Sequence, residues 1–291
     1  LHHGLTKGAL FLGVDFAPTT EPLVACMPEL TQLGVTEITL VHVIDVDYPR
    51  APEMEHVAHY ERRLREVAAR AEELGLTIDT QLRVGDPTVE ILSAAREKRA
   101  SLIVLGSAGH SVFDEVVIGS VAAEVARRAT LPVLLFPVEA SERNGEQQCR
   151  VVPHRGIVEH LLYPTDFSDI AELAFDYVSR LADRTRQITL LHVQDMAKAT
   201  PYQRRHLEEY DQIDQARLER LRSALAGRTD VEIAVRIEHG APGPVIVEVA
   251  QAIGVSLILM GSQGQSFLGR ALLGSVSHHV VHNARLPVLL I

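Results

Sequence analysis

The sequence predicts an α/β protein built as two tandem, doubly wound domains, each carrying a five-stranded parallel sheet. Three observations predict it. The chain repeats itself in order, short apolar runs alternate with longer helical patterns, and 291 residues suit two domains of ordinary size. The repeat is explicit. Leu105-Gly-Ser-Ala-Gly109 returns as Met260-Gly-Ser-Gln-Gly264, and Ile118-Gly-Ser-Val121 returns as Leu273-Gly-Ser-Val276. Leu131-Pro-Val-Leu-Leu135 returns as Leu286-Pro-Val-Leu-Leu290, at the same spacing. Earlier landmarks keep the order: Val14-Asp-Phe16 with Thr165-Asp-Phe167, Thr39-Leu-Val-His-Val43 with Thr189-Leu-Leu-His-Val193, and Val84-Gly-Asp-Pro87 with His239-Gly-Ala-Pro242.

The strands expected in the first half are 9–14, 37–43, 77–84, 101–105 and 132–136. Those in the second are 160–164, 187–193, 231–238, 256–260 and 287–291. Near-continuous runs such as Leu257-Ile-Leu-Met260 suit strands buried on both faces. Between strands, 171–181 and 245–252 place apolar residues at three- and four-residue spacing, and Ser168 is a fitting N-cap for the first. Longer charged helices are expected over 56–75 and 202–227, solvated on one face. Strand and helix in alternation imply right-handed βαβ units. The polar stretch 139–157 reads as an exposed linker, which puts the domains at 1–138 and 158–291.

The net charge of −10 leaves no field to attract a nucleic acid or an anionic membrane surface, so neither is expected as a partner. No apolar run reaches membrane-spanning length, and no signal peptide is read at the start. With Cys26 and Cys149 read as reduced thiols, a cytoplasmic chain is expected. His2 and His3 carry no functional weight.

Chemistry is expected where open parallel sheets bind ligands, at the carboxyl ends of the strands beside the reversal of strand order. There the fourth strand of the second half runs into Gly261-Ser-Gln-Gly264, nine residues, then Gly274-Ser-Val-Ser277, which opens a helix. Gly261 and Gly264 lack a Cβ, so the backbone can approach a ligand closely and take positive φ. The helix start offers free N–H groups and a positive dipole end. The hydroxyls of Ser275 and Ser277 are expected to add two donors. Such a cradle holds phosphate without Lys or Arg. The first half has Gly106-Ser-Ala-Gly109, nine residues, then Gly119-Ser-Val-Ala122. A Walker A loop fails, because Arg270-Ala271 stands where Lys-Ser/Thr is required, and no dinucleotide fingerprint follows either first strand.

The spacing Gly-x-x-Gly, nine residues, Gly-Ser resembles the nucleotide-binding branch of the universal stress protein family. Tyr163-Pro-Thr-Asp-Phe-Ser168, His192-Val193 and Leu286–Ile291 are similar to that family's first-, second- and last-strand motifs. The resemblance covers both halves and implies Rossmann-like, adenine nucleotide-binding domains. It places Asp166, with Pro164 and Thr165, at the adenine or ribose end, and Val193 against adenine through its backbone. Met260, Gly261, Gln263 and Gly264 would line the ribose and phosphate path. Gly274, Ser275, Val276 and Ser277 would hold the phosphates. In the first half Asp15, Val43, Gly106, Ala108, Gly109, Gly119, Ser120 and Val121 match. The ligand implied is ATP or AMP, with Mg²⁺ or another divalent metal on the phosphates. The family's last strands pair across a two-fold axis, which implies an intramolecular pseudo-dimer and room for a homodimer.

The halves differ. Ala122 stands where Ser277 does, Gly13-Val14 where Pro164-Thr165 does, and Asp114 and Glu115 where Gly269 and Arg270 do. The second site is therefore expected to be the tighter. No nucleophile or general base accompanies the cradle, so a regulatory nucleotide-binding or stress-response protein is the leading expectation. One alternative is a slow Mg²⁺-dependent ATPase or phosphotransferase with Arg270 stabilising charge. The other is an interaction module in which the loops are vestigial. His42 and His192 are read as structural. His278, His279 and His282 are read as no metal site, since zinc needs further ligands.

Overall fold

A computed structural model describes residues 9–12, 20–45, 54–106, 118–143, 146–151, 156–226, 231–264 and 273–291. The chain divides into two compact units, Leu1–Pro153 and His154–Ile291.

In the first unit the order is β1 (Ala9–Leu12), α1 (Thr20–Leu30), β2 (Glu37–Ile44), α2 (Met54–Glu73), β3 (Thr77–Val84), α3 (Pro87–Glu97), β4 (Leu102–Gly106), α4 (Ser120–Arg128) and β5 (Val133–Phe136). The strands lie side by side as β5-β4-β1-β2-β3, with every neighbouring pair parallel. All of β4 and β5 is buried, as a sheet with both faces covered requires. Asp86 caps α3, its side chain accepting from the Val89 N–H at 2.8 Å.

A hairpin follows within the segment expected to be a linker. Here β6 (Val138–Arg143) pairs antiparallel with β7 (Glu146–Val151). The sequence between the two strands is Asn144-Gly145, the pair that most favours a two-residue hairpin connection.

The second unit repeats the plan: β8 (His160–Pro164), α5 (Asp169–Leu181), β9 (Gln187–Asp195), α6 (Pro201–Arg205), α7 (Leu207–Ala226), β10 (Glu232–Gly240), α8 (Pro242–Ala252), β11 (Leu257–Met260), α9 (Ser275–Asn283) and β12 (Val288–Leu290). Its strand order is β10-β9-β8-β11-β12, again all parallel. The order reverses between β8 and β11, so the two loops leaving these strands diverge and open a crevice. Every residue of β8 and β11 is buried. Beneath the crevice the Tyr163 ring is 1% exposed and its hydroxyl donates to the Ala171 carbonyl at 2.6 Å, fixing α5 to β8. Burial pushes that phenol well above its ordinary value. Ser168 caps α5 as expected, accepting from the Ala171 N–H at 3.3 Å.

Where one helix is expected over 202–227 there are two. Thr200 and Gln203 form a capping box and Pro201 takes the first position of α6. The chain then turns at His206, whose ring Nδ1 sits 2.9 Å from the Tyr202 carbonyl, and α7 begins anew. No helix among the described residues is long and apolar enough to cross a membrane.

Candidate functional site

The crevice at the β8/β11 reversal is a cavity of about 480 Å³. Pro164, Thr165 and Asp166 leave the end of β8, Val193 stands near the end of β9, and Met260 closes β11. The loop Gly261–Gly264 and the start of α9 supply the rest. All twelve second-half positions singled out from the sequence line this one cavity.

Glycine is needed here for space, not for torsion. A Cβ on Gly264 would stand 2.6 Å from an Asp166 carboxylate oxygen, and one on Gly261 would stand 2.9 Å from Ile170 Cγ2. At either place the Asp166 or Ile170 side chain would have to shift. The expected positive φ at Gly261 and Gly264 is not found; both keep ordinary backbone. The residue with φ +59° is Phe167, a left-handed conformation that an L side chain adopts at a cost of roughly 1–2 kcal/mol.

The cradle divides into spent and unspent donors. The Gly274 N–H donates to the Ser262 carbonyl at 2.8 Å, and the Ser262 N–H to the Ile291 carbonyl at 2.8 Å. The N–H groups of Gln263, Gly264, Ser275, Val276 and Ser277 have no acceptor among the described residues. The last three form the first turn of α9, where no intrahelical acceptor exists, and Gly274 brings no capping side chain. The hydroxyl of Ser277 corrects an expectation. It is buried, donates to the Ser262 carbonyl at 2.6 Å and lies 3.0 Å from the Gly274 carbonyl. It braces the loop and is not a donor to the cavity; nor is the Gly274 amide. Ser275 is exposed, and its hydroxyl remains free to donate.

The lining also has apolar members, Pro164, Ala171, Val193, Ile246 and Met260. Here the backbone of the first turn is tied down. The Thr165 N–H donates to the Leu191 carbonyl at 2.9 Å, and Thr165 Oγ1 accepts from the Phe167 N–H at 3.0 Å. Asp166 Oδ1 accepts from the Ser168 N–H at 3.1 Å, an Asx turn that aims its carboxylate at Gly264.

Several lining residues were missed in the sequence. His192, read as a strand-end structural residue, lines the cavity, with its Nδ1 2.8 Å from the Thr165 carbonyl and its ring 4.8 Å from that of Phe167. Its Nε2 is 3.4 Å from Asp214 Oδ2, reached from α7. Asp214 also accepts from Gln194 at 3.1 Å and Arg217 at 3.4 Å. Burial pushes the Asp214 carboxyl up, but the bond and charge of His192, the Gln194 amide and Arg217 together hold it below its ordinary value. Arg217 also lies over the Phe167 ring, 5.1 Å from its centre. Only the His192-Val193 pairing pointed to this corner. Nothing in the sequence marks Asp214 among the many charges of its helix.

In the first unit, Val43 lies in β2, Gly106 ends β4, and Gly119, uncapped by any side chain, precedes Ser120 and Val121 at the start of α4. Ala122 is buried where Ser277 is in the second unit. Asp15, Ala108, Gly109, Asp114 and Glu115 lie outside the described residues, as do Gly13, Val14, Gly269 and Arg270. The rings of His278 and His282 stack at 4.3 Å, with burial and then the neighbouring histidines lowering the pKa of His282. The described residues hold no group of ligands fit for a metal. The Cys26 thiol is pushed up to about 12 by burial and the Glu29 charge, which keeps it protonated and unreactive.

Comparison with known proteins agrees with this architecture. The model of the universal stress protein family matches residues 10–137 and again 158–291. A universal stress protein of Mycolicibacterium smegmatis is 28% identical over 304 residues, covering 98% of this chain and 97% of its own length. One from Methanocaldococcus jannaschii is 29% identical over 150 residues, 93% of its own length but 45% of this chain. Among solved structures, a universal stress protein of Archaeoglobus fulgidus superposes with a TM-score of 0.72 at 23% identity, covering 99% of this chain and 98% of its own. That likeness shows the fold.

Proposed function

Because the chain belongs to the universal stress protein family, over two tandem segments, we propose that its second unit binds an adenine nucleotide, ATP or AMP, as a regulatory ligand. The observation that carries this reading is the set of five main-chain N–H groups, at 263–264 and 275–277, that have no acceptor among the described residues and line a cavity with apolar members. Four of the five belong to buried or half-buried residues, where donors without acceptors are costly and an anion satisfies them. Three of the five sit at the positive end of α9, where the helix dipole favours negative charge. Each bond to a phosphate oxygen is worth about 1.5–3 kcal/mol. The base would lie against the apolar side chains of the lining, Val193, Ile246 and Met260 among them. The cavity volume falls inside the range of roughly 300–1,000 Å³ found for small-molecule sites. Any Mg²⁺ would ride on the phosphates.

Titration calorimetry of the whole chain with ATP, AMP and adenosine tests this. We expect saturable ATP binding in the micromolar range, with one tight site per chain, weaker binding of adenosine, and hydrolysis no faster than background. The single tight site follows from the sequence, since Asp114 and Glu115 would oppose a phosphate tail where the second half has Gly269 and Arg270. Two equal sites would overturn that part of the reading. No saturable binding of any of the three ligands would overturn all of it.

A further inference from the structure

Resting on that reading of the site, we propose that Asp214 is a positioning residue for its base end: through His192 it holds the turn 165–167 that presents Asp166 beside Gly264. The chain of contacts is continuous. Asp214 Oδ2 lies 3.4 Å from His192 Nε2, an ion pair when the imidazole carries both protons, and Nδ1 then donates to the Thr165 carbonyl at 2.8 Å. Thr165 Oγ1 then accepts from the Phe167 N–H at 3.0 Å. Phe167 is the strained member, held at φ +59° with its ring between the His192 imidazole and the Arg217 guanidinium.

An L residue held left-handed needs surroundings that over-determine it, and such strain collects at ligand clamps. Asp214 touches both of these neighbours of the Phe167 ring, since it also accepts from Arg217. The carboxylate is 8% exposed, so it is a built-in part of the cavity wall and not a surface charge. The first unit shows what the carboxylate replaces. Asp214 stands four residues ahead of buried Leu218 on α7, and Tyr60 stands four ahead of buried Leu64 on α2. The Tyr60 ring lies 4.7 Å from His42, where Asp214 faces His192.

The test compares the wild-type chain with Asp214→Ala and Asp214→Asn, using ATP, adenosine and inorganic tripolyphosphate as probes. Asp214→Ala should weaken ATP and adenosine by the same factor, about tenfold, the scale of one lost hydrogen bond to a charged group. Tripolyphosphate should bind as before, since the α9 cradle is untouched. Asp214→Asn, whose amide still reaches the imidazole, should recover most of the loss. Equal weakening of all three probes would mean a general loosening and would overturn the proposal, as would no weakening of any. Hydrogen exchange at the Phe167 amide reads the relay without a ligand, and Asp214→Ala should speed it severalfold. A wild type that binds no ATP while this exchange still responds to the substitution removes the nucleotide reading and leaves the relay standing. Unchanged exchange overturns the relay itself.

Discussion

Replacing Ser275 by proline, with Ser275→Ala as the reference that already lacks the hydroxyl, would delete one main-chain donor from the cradle while leaving α9 intact. Ser275 is the first residue of the helix, where an N–H has no intrahelical partner and proline is well accommodated. The residue before it, Gly274, already has φ −63° and ψ 153°, the extended conformation that a following proline requires. Folding should therefore be unaffected or favoured by about 0.4–1 kcal/mol, through the narrower unfolded ensemble. Binding should suffer. One N–H···O⁻ bond is worth about 1.5–3 kcal/mol, which is about a ten- to 150-fold loss of ATP affinity. Adenosine has no phosphate and should bind Ser275→Pro as it binds the wild type. Calorimetric titration with both ligands, on protein whose melting temperature has been shown to match the wild type, separates these effects. Undiminished ATP affinity in a fully folded Ser275→Pro variant would mean that this amide does not meet the ligand, and the α9 cradle would be refuted.

Two further outcomes are expected. Ser277→Ala removes a bond inside the protein, so it should lower the melting temperature by the equivalent of about 1 kcal/mol and reduce ATP affinity only slightly. A large affinity loss at unchanged stability would show the hydroxyl reaching the ligand after all. Asp214 has its folded-state pKa below its ordinary value. Its stabilisation is thus complete above that ordinary value and is lost as pH falls through the lowered one. Asp214→Asn should be less stable than wild type at neutral pH, and the gap should close in strong acid; a gap that persists there would contradict the assignment.

The fold was legible because it is written twice. The repeat, the Val/Ile/Leu runs of β8 and β11, and the Gly-Ser openings of α4 and α9 mark every layer without reference to long-range packing. The positions lining the cavity were legible for the same reason, since the strand-order reversal brings the ends of β8 and β11 together whatever else the sequence does. What the sequence hid was direction and space. It shows that Ser277 has a hydroxyl, but not that the hydroxyl turns inward to a carbonyl fifteen positions earlier. It shows that Gly264 lacks a Cβ, but not that an Asp166 oxygen, rather than a torsion, forbids one. The His192–Asp214 contact depends on the rotation of α7, which its evenly charged sequence leaves unspecified. The break at His206 escapes helical periodicity because every residue there is compatible with a helix. The β6–β7 hairpin differs, because its Asn144-Gly145 signal was present and was outweighed by the polar composition around it.

The Ser262 carbonyl receives two donors at once, the Gly274 amide at 2.8 Å and the Ser277 hydroxyl at 2.6 Å. This double clasp ties Ser262 to the first turn of α9 from within the protein. The amides at the start of α9 are thus braced before any ligand binds, and that bracing is freedom they need not surrender on association.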